Sequence, residues 1–487
     1  MEVQFRMLPG HGTSTLFTAR RLVPALLAVA LLVPAAACPS GRPQRPNVIV
    51  ILVDALRADY MGVYGFDGPV TPYLDSLARE SVLFRNCFTQ SPWTKPAVAS
   101  LFTSLHPQVH GLTNHEGKYW GDATAGLRTG ILPAGARTLA EQLREVGYET
   151  AAFVANPWLK ATYGFDQGFD VYHDEKVDFL ATADRLAQDV RAWRDGRDDR
   201  RPYFLYLHFM DVHAPYVGSR RDYELLRASQ SVRSDETLLP VQMPDRRFHN
   251  IEFRPSWATD EMRREVTYWR TRYASSVRTA DRRIGEIVEE LRETGELGRS
   301  LLVFTSDHGE ELFEHGDWSH GQNLFDHQLH IPLFIRNPGG RGGGVEVESF
   351  IDLIDLMPTL LAAVGAPVPE SVQGRDMSAL LRGEAVDHPE ITFATATQRH
   401  PGLYSARTAR YKLLYDLDSS WERLFEMVED GAEWENVGPR EPHVADELRD
   451  RLLTHIRDSL DEGTLESEQA EIPEDLQERL RALGYLQ

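Results

Sequence analysis

A single hydroxyl stands out for its setting. Thr94, in the stretch SPWTKPAVAS (residues 91–100), lies between Trp93 and the pair Lys95-Pro96. Pro96 suits the first turn of a helix, where its missing N–H costs nothing. The small residues after it, Ala97 to Ser100, suit a helix packed closely on its neighbours. At a helix N-terminus the free N–H groups and the helix dipole favour an anion. From this stretch alone Thr94 reads two ways: as the attacking oxygen of a phosphate- or sulfate-ester enzyme, or as an ordinary N-cap. A nucleophile needs activation, and the acids and histidines elsewhere could supply it. Asp54 ends the run PNVIVILVD (46–54), Asp307 and His308 end SLLVFTSDH (300–308), and the His-rich segment HGEELFEHGDWSHGQNLFDHQLH (308–330) follows. Two carboxylates and an imidazole converging on a hydroxyl make a metal site with a coordinated nucleophile, in which the metal lowers the hydroxyl pKa and neutralises the transferred group.

Such convergence requires strands that end on one edge. PNVIVILVD is an almost unbroken β-branched run, the pattern of a central parallel strand buried on both faces, with Asp54 at the carboxyl end where open α/β sheets place ligands. TPYLDSLARE (71–80) has helical spacing with Thr71-Pro72 as N-cap and N1, and SVLFRNCFT follows as a strand leading to Thr94. Helix ARTLAEQLREVG (136–147) precedes strand YETAAFVAN (148–156), helix TADRLAQDVRAWRD (182–195) precedes PYFLYLHFMDVHAPY (202–216), and a long helix over roughly 260–294 precedes the strand that delivers Asp307. FIDLIDLMPTLLAAVG (350–365) reads as a helix with Asp352 and Asp355 as caps and surface charges. This alternation predicts an α/β fold with a largely parallel sheet flanked by helices. The polar insert 217–262 has no clear period and reads as a lid or substrate-specific loop. From about residue 395, short antiparallel-type strands and a terminal helix (474–486) suggest a smaller α+β subdomain, giving a catalytic domain over 46–394 and a C-terminal subdomain over 395–487.

A chain of 487 residues with 42% hydrophobic and 10% aromatic residues is globular in composition. Its formal charge of -21 argues against a nucleic-acid partner, so an anionic substrate must be met locally by metal or a few cations. Residues 1–38 read as an export signal: Arg20 and Arg21 precede an apolar run (22–37) too short for a usual membrane span. Ala35-Ala36-Ala37-Cys38 is a loose lipobox, so lipidation of Cys38, with membrane attachment, and plain cleavage are both open. An exported, periplasmic or membrane-anchored protein is expected. No protein partner is implied, and Cys87 reads as a buried small hydrophobe.

Taken together the motifs resemble the sulfatase family within the alkaline phosphatase superfamily, from about Pro46 onward. The carriers are NVIVILVDALRAD, SPWTKPAVASLFTSLHPQVHG, GFDQGFD, HFMDVHAPY, SDHGEELFEHG with WSHG, HIPLFI and LRALGYL, in that order. The resemblance implies an alkaline-phosphatase-like core with a smaller C-terminal subdomain, a divalent metal on Asp54, Asp307 and His308, and Thr94 as the metal-bound nucleophile. Sulfatases carry Cys or Ser in a C/S-x-P-x-R motif, which is oxidised to formylglycine. Here Thr94, Pro96 and Val98 stand at those positions, so the aldehyde cannot form and the arginine is lost. A sulfated threonine would need direct attack at sulfur, whereas phosphothreonine is open to metal-activated water, which tilts the expected chemistry towards phosphoryl esters.

His308 stands where many sulfatases have Asn, which suits Zn or Mn at least as well as Ca or Mg. His320 sits where some phosphoethanolamine transferases have a histidine. With His213, and with His208 or Asp211, it could hold a second metal or bind the transferred group, and His213 or His320 would stabilise or protonate the leaving group. His110 and Asn156 are substrate-contact candidates, and Lys95 either offsets phosphate charge or is solvated. His315, His327 and His330 read as structural. The expectation is a metal-dependent ester hydrolase. A phosphoethanolamine- or phosphoglycerol-type transferase acting on cell-envelope substrates, or a non-catalytic binding protein, are the alternatives.

Overall fold

The computed structural model describes residues 45–477 except 114, 117–127, 175–181, 198–200, 230, 233–259, 317, 387–389, 397, 399, 462 and 475–476. The export signal with Cys38, much of the 217–262 insert and nearly all of the terminal helix therefore lie outside the described residues. No described helix is long and apolar enough to cross a membrane.

Strands β1 (Asn47–Val53), β2 (Val82–Phe88), β3 (Glu149–Val154), β4 (Val171–His173), β5 (Tyr203–Phe209), β6 (Ser300–Thr305), β7 (His330–Arg336) and β8 (Val345–Asp352) form one sheet in the order β8-β2-β7-β6-β1-β5-β3-β4. All pairings are parallel except those of β7, which runs against both β2 and β6. The apolar run of β1 is explained by its place at the centre. Val48, Val50 and Leu52 enter the core on one face, while Ile49, Ile51 and Val53 enter the core on the other. Helices α1 (Pro72–Arg79), α2 (Thr94–Thr103), α3 (Leu139–Glu145), α4 (Thr182–Gly196), α5 (Arg220–Ser229), α6 (Asp260–Glu293) and α7 (Leu356–Ala363) cover the sheet. Of these, α2, α3 and α7 pack on the first face, and α1, α4, α5 and α6 on the second.

Register sets the level of the site. Leu52 of β1 lies opposite His208 of β5 and Thr305 of β6, and Val154 of β3 lies opposite His208. Two residues beyond Leu52, Thr305 and Val154 stand Asp54, Asp307 and Asn156, which therefore reach the same edge side by side.

A second sheet, β9 (Ile391–Ala396), β10 (Leu403–Thr408), β11 (Tyr411–Asp416) and β12 (Glu422–Glu426), is antiparallel throughout. One of its faces joins Phe88, Leu324, Phe325, Leu329 and Phe350 beside the main sheet. The other packs on α8 (Pro442–Asp461) through Ala445, Leu448, Leu452 and Ile456.

Two local readings change. Residues 350–352 are not helical but finish β8, where Phe350, Ile351 and Asp352 pair with Asn86, Cys87 and Phe88; only Leu356–Ala363 is α-helix. Asp352 and Asp355 do form a capping box, but they are buried rather than surface charges. Part of the 217–262 insert is the helix α5, packed on α6 through Leu226 and an Asp222–Thr279 hydrogen bond of 2.9 Å.

Candidate active site

Thr94 is the first residue of α2, and Trp93, not Thr94, is its N-cap. The capping reading thus falls, and the hydroxyl is left for other work. Oγ1 lies 3.3 Å from Asp54 Oδ2, 3.3 Å from His308 Nε2 and 3.2 Å from Asn156 Nδ2. Every one of these residues is buried.

Asp54 Oδ2 accepts from Asn156 Nδ2 at 2.6 Å and lies 3.0 Å from His208 Nε2. The Asn156 amide is oriented by Trp158, whose main-chain N–H donates to Oδ1 at 2.8 Å. Asp307 Oδ1 accepts from the main-chain N–H of Ala55 at 3.2 Å and of His308 at 3.0 Å. Ala55 adopts a left-handed conformation (φ 59°), held by the Tyr273 hydroxyl donating to its carbonyl at 2.7 Å. That twist aims its N–H at Asp307.

The opposite oxygens, Asp54 Oδ1 and Asp307 Oδ2, are buried without hydrogen-bond partners. They lie 3.6 Å and 3.5 Å from His308 Nε2, and His308 Nδ1 donates to the Gly309 carbonyl at 2.8 Å. With its proton fixed at Nδ1, His308 presents a lone pair at Nε2. Ligand atoms of Asp54, Asp307 and His308 all lie within 4.8 Å of one another. Buried acceptors lacking donors, beside an imidazole lone pair, fit a divalent cation.

The electrostatics point the same way. Burial opposes the charge of Asp54, but the His208 hydrogen bond and the nearby His213 and His308 outweigh it and hold the carboxyl well below the usual range. Burial, then the charge of Asp54, pushes Asp307 up to about 7. Burial lowers His308 to about 4, which keeps it neutral and able to bind metal. Two carboxylates this close ionise together only with positive charge between them.

Next to this cluster, the His320 ring lies 4.3 Å from that of His308 and 5.0 Å from that of His213. His320 Nδ1 is 3.0 Å from Glu310 Oε1. Burial pushes the Glu310 carboxyl up to about 8. Sequence reasoning missed Glu310, although its place in HGEE beside the metal-ligand candidates was a usable signal.

The other candidates have partners of their own. Asp211 is ion-paired with Arg283 of α6 at 2.8 Å, and His208 is held between Asp54 and the Tyr206 hydroxyl. His110 is buried against Ser100 Oγ at 3.1 Å and accepts the Leu112 N–H, so it ties α2 to the following turn. Lys95 is neither solvated nor placed among these groups. It is 1% exposed, donates to Thr129 Oγ1 at 2.5 Å and stacks 4.4 Å from the Tyr163 ring centre. His330 contacts the Arg85 carbonyl at 2.8 Å and His315 that of Ala432 at 2.9 Å.

A family model described as Sulfatase matches residues 46–366, and one described as N-sulphoglucosamine sulphohydrolase, C-terminal, matches residues 313–458. Choline-sulfatase of Rhizobium meliloti (strain 1021) is 25% identical over 472 residues, covering 84% of this chain and 87% of its own. Among solved structures, the phosphonate monoester hydrolase of Agrobacterium radiobacter superposes with a TM-score of 0.68 at 21% identity, covering 85% of this chain and 96% of that one. The corresponding enzyme SpPMH from Silicibacter pomeroyi gives 0.64 at 22% identity, covering 86% and 96%. With the first family model spanning well over half of its length, this chain belongs to the sulfatase family, as an ester hydrolase of a metal-dependent group.

Proposed function

We propose that this hydrolase cleaves phosphate or phosphonate esters with Thr94 Oγ1 as the nucleophile. The observation that carries the reading is the position of that oxygen, on the first residue of α2 and within 3.3 Å of Asp54, Asn156 and His308. Threonine has no route to formylglycine, so sulfate release by elimination from a hydrated aldehyde is closed to it. Phosphonate monoester hydrolases are built on the same fold as sulfatases, so phosphorus chemistry lies within its reach.

A divalent cation held by Asp54, Asp307 and His308 would lower the hydroxyl pKa and neutralise phosphoryl charge, and Zn or Mn suits this donor set at least as well as Ca or Mg. Asn156 fixes Oγ1 from the side, and the helix N-terminus faces the anion. Thr94 Oγ1 gives up its proton to solvent, and its bond to phosphorus forms as the bond to the leaving oxygen breaks. His320, with Nδ1 held by Glu310, gives a proton to that oxygen from Nε2, and His213 stands beside it as a second donor. Water, giving a proton to His320 Nε2, then attacks the phosphorus of phosphothreonine; the Oγ–phosphorus bond breaks, phosphate or phosphonate leaves, and Oγ1 takes a proton back from solvent.

Thr94→Ala is expected to lower kcat on the order of a thousandfold or more while bound metal stays. Acid-quenched chains should carry phosphothreonine at 94. Wild-type turnover by the variant across sulfate, phosphate monoester, diester and phosphonate substrates would refute the assignment. In this reading the leader over residues 1–38 places the reaction outside the cytoplasm, which N-terminal sequencing of the mature protein checks.

A further inference from the structure

We propose that Glu311, His315 and His327 form a second cation site, separate from the Asp54 cluster and suited to a zinc-class divalent ion. One ligand atom from each lies within 4.8 Å of the other two. They are brought together by a short hairpin, Glu311–Leu312 paired with Trp318–Ser319, and by the turn that leads into β7.

The hairpin folds back so that the His315 main-chain N–H donates to Glu311 Oε1 at 2.7 Å, and His315 Nδ1 lies 3.3 Å from the same oxygen. The His315 ring is fixed from two directions. Phe325 stacks on it with ring centres 3.6 Å apart, and Nε2 meets the Ala432 carbonyl at 2.9 Å. With the proton at Nε2, the lone pair at Nδ1 faces the Glu311 side. His327 completes the set: its ring centre is 5.3 Å from that of His315, and its Nδ1 is buried without a hydrogen-bond partner.

That nitrogen decides between two accounts. A protonated His315 bridging Glu311 and Ala432 would satisfy those two residues, but it leaves His327 Nδ1 without a partner, which is costly in a buried site. A cation satisfies all three. Neighbouring charges are already matched within the chain. Glu314 pairs with Arg57 at 2.7 Å and Arg270 at 3.3 Å, while Lys412 takes Asp326 at 2.6 Å and Glu433 at 2.7 Å. Two imidazoles and one carboxylate are a donor set of the zinc class, and His327, less buried than the other two, offers the way in. An ion there would fasten the hairpin that carries Glu310 to the turn before β7.

The test uses the full chain, stripped of metal, titrated with Zn(II) and counted by elemental analysis after gel filtration, with Co(II) absorption as a second readout. Asp307→Asn, which disables the other cluster, is expected to keep one zinc per chain and to give tetrahedral Co(II) bands. Adding His327→Ala should lower bound zinc by tenfold or more and remove those bands. No zinc on a folded Asp307→Asn chain, or zinc and bands unchanged by His327→Ala, overturns the proposal. In the otherwise wild-type chain, His327→Ala alone should remove one zinc per chain, which covers misfolding of the double variant, and a zinc count unchanged by that single substitution overturns the proposal. The site does not depend on Thr94 being a nucleophile, so Thr94→Ala should leave the count unchanged.

Discussion

Among the described residues, two pairs of buried aspartates differ in what surrounds their oxygens. Asp352 accepts from Gln90 Nε2 at 3.0 Å and from Thr392, while Asp355 accepts from the main-chain N–H groups of Asp352 at 2.9 Å and Arg375 at 2.7 Å. The chain closes this pair with its own donors, and its role is to join β8 to α7. Asp54 and Asp307 each keep one buried oxygen without a donor, directed towards an imidazole lone pair. Both pairs are acidic and inaccessible, and burial pushes Asp307 of one pair and both members of the other towards protonation. Burial therefore does not separate a structural carboxylate pair from a ligand site; unfilled acceptor positions do.

The comparison can be broken by exchanging charge for amide in each pair. Asp307→Asn should cost on the order of a thousandfold or more in kcat and remove the cation from that cluster, as measured by turnover and metal content. Asp355→Asn should leave turnover within about twofold. If both substitutions act alike on turnover, the distinction fails. Next in size, His320→Gln should slow esters with poor leaving groups by about 10²–10⁴-fold and spare nitrophenyl esters. Glu310→Gln should do the same at about tenfold, because it loosens the ring without removing the acid. Chelation should lower Tm by about 2–4 °C or more through loss of native-state binding, measured by scanning calorimetry.

The smallest effect concerns pH. Burial, then the charge of Asp355, pushes Asp352 up to about 8, against about 3.9 for a free aspartate. The folded chain thus holds this proton more tightly than the unfolded chain. The resulting stability is full below about pH 4 and is lost as pH rises towards about 8. Asp352→Asn should flatten that slope, so its Tm gains on the wild type by on the order of a few degrees near pH 8. An unchanged slope would show that Gln90 and Thr392 already hold the ionised form.

Much of this arrangement was legible from residue order. The β-branched runs before Asp54 and Asp307 announce strands buried on both faces, and sheet topology then dictates that their ends meet. Pro96 correctly marks the start of α2. What could not be read is what depends on distant partners. Nothing in the TKP sequence shows that Lys95 will be enclosed by Thr129, Trp158 and Tyr163. The run FIDLIDL is apolar enough for strand or helix, and only pairing with β2 decides that its first residues are strand. Asp211 looked like a ligand in an H-x-x-D-x-H cluster, yet α6, far along the chain, brings Arg283 to it.

The reversed direction of β7 has a practical consequence. In a purely parallel sheet, a chain leaving the ligand edge must travel back across the molecule before it can form the next strand. Because β7 starts at the edge where β6 finishes, residues 306–329 enter and leave on the same side. Asp307, His308, Glu310 and His320 are thereby carried by one connection between neighbouring strands. Such a connection is a self-contained unit of variation. Its part beyond His308 can be rewritten, by selection or by grafting, without rethreading any helix, so the groups around Glu310 and His320 can change while Asp54, Thr94, Asp307 and His308 stay as they are.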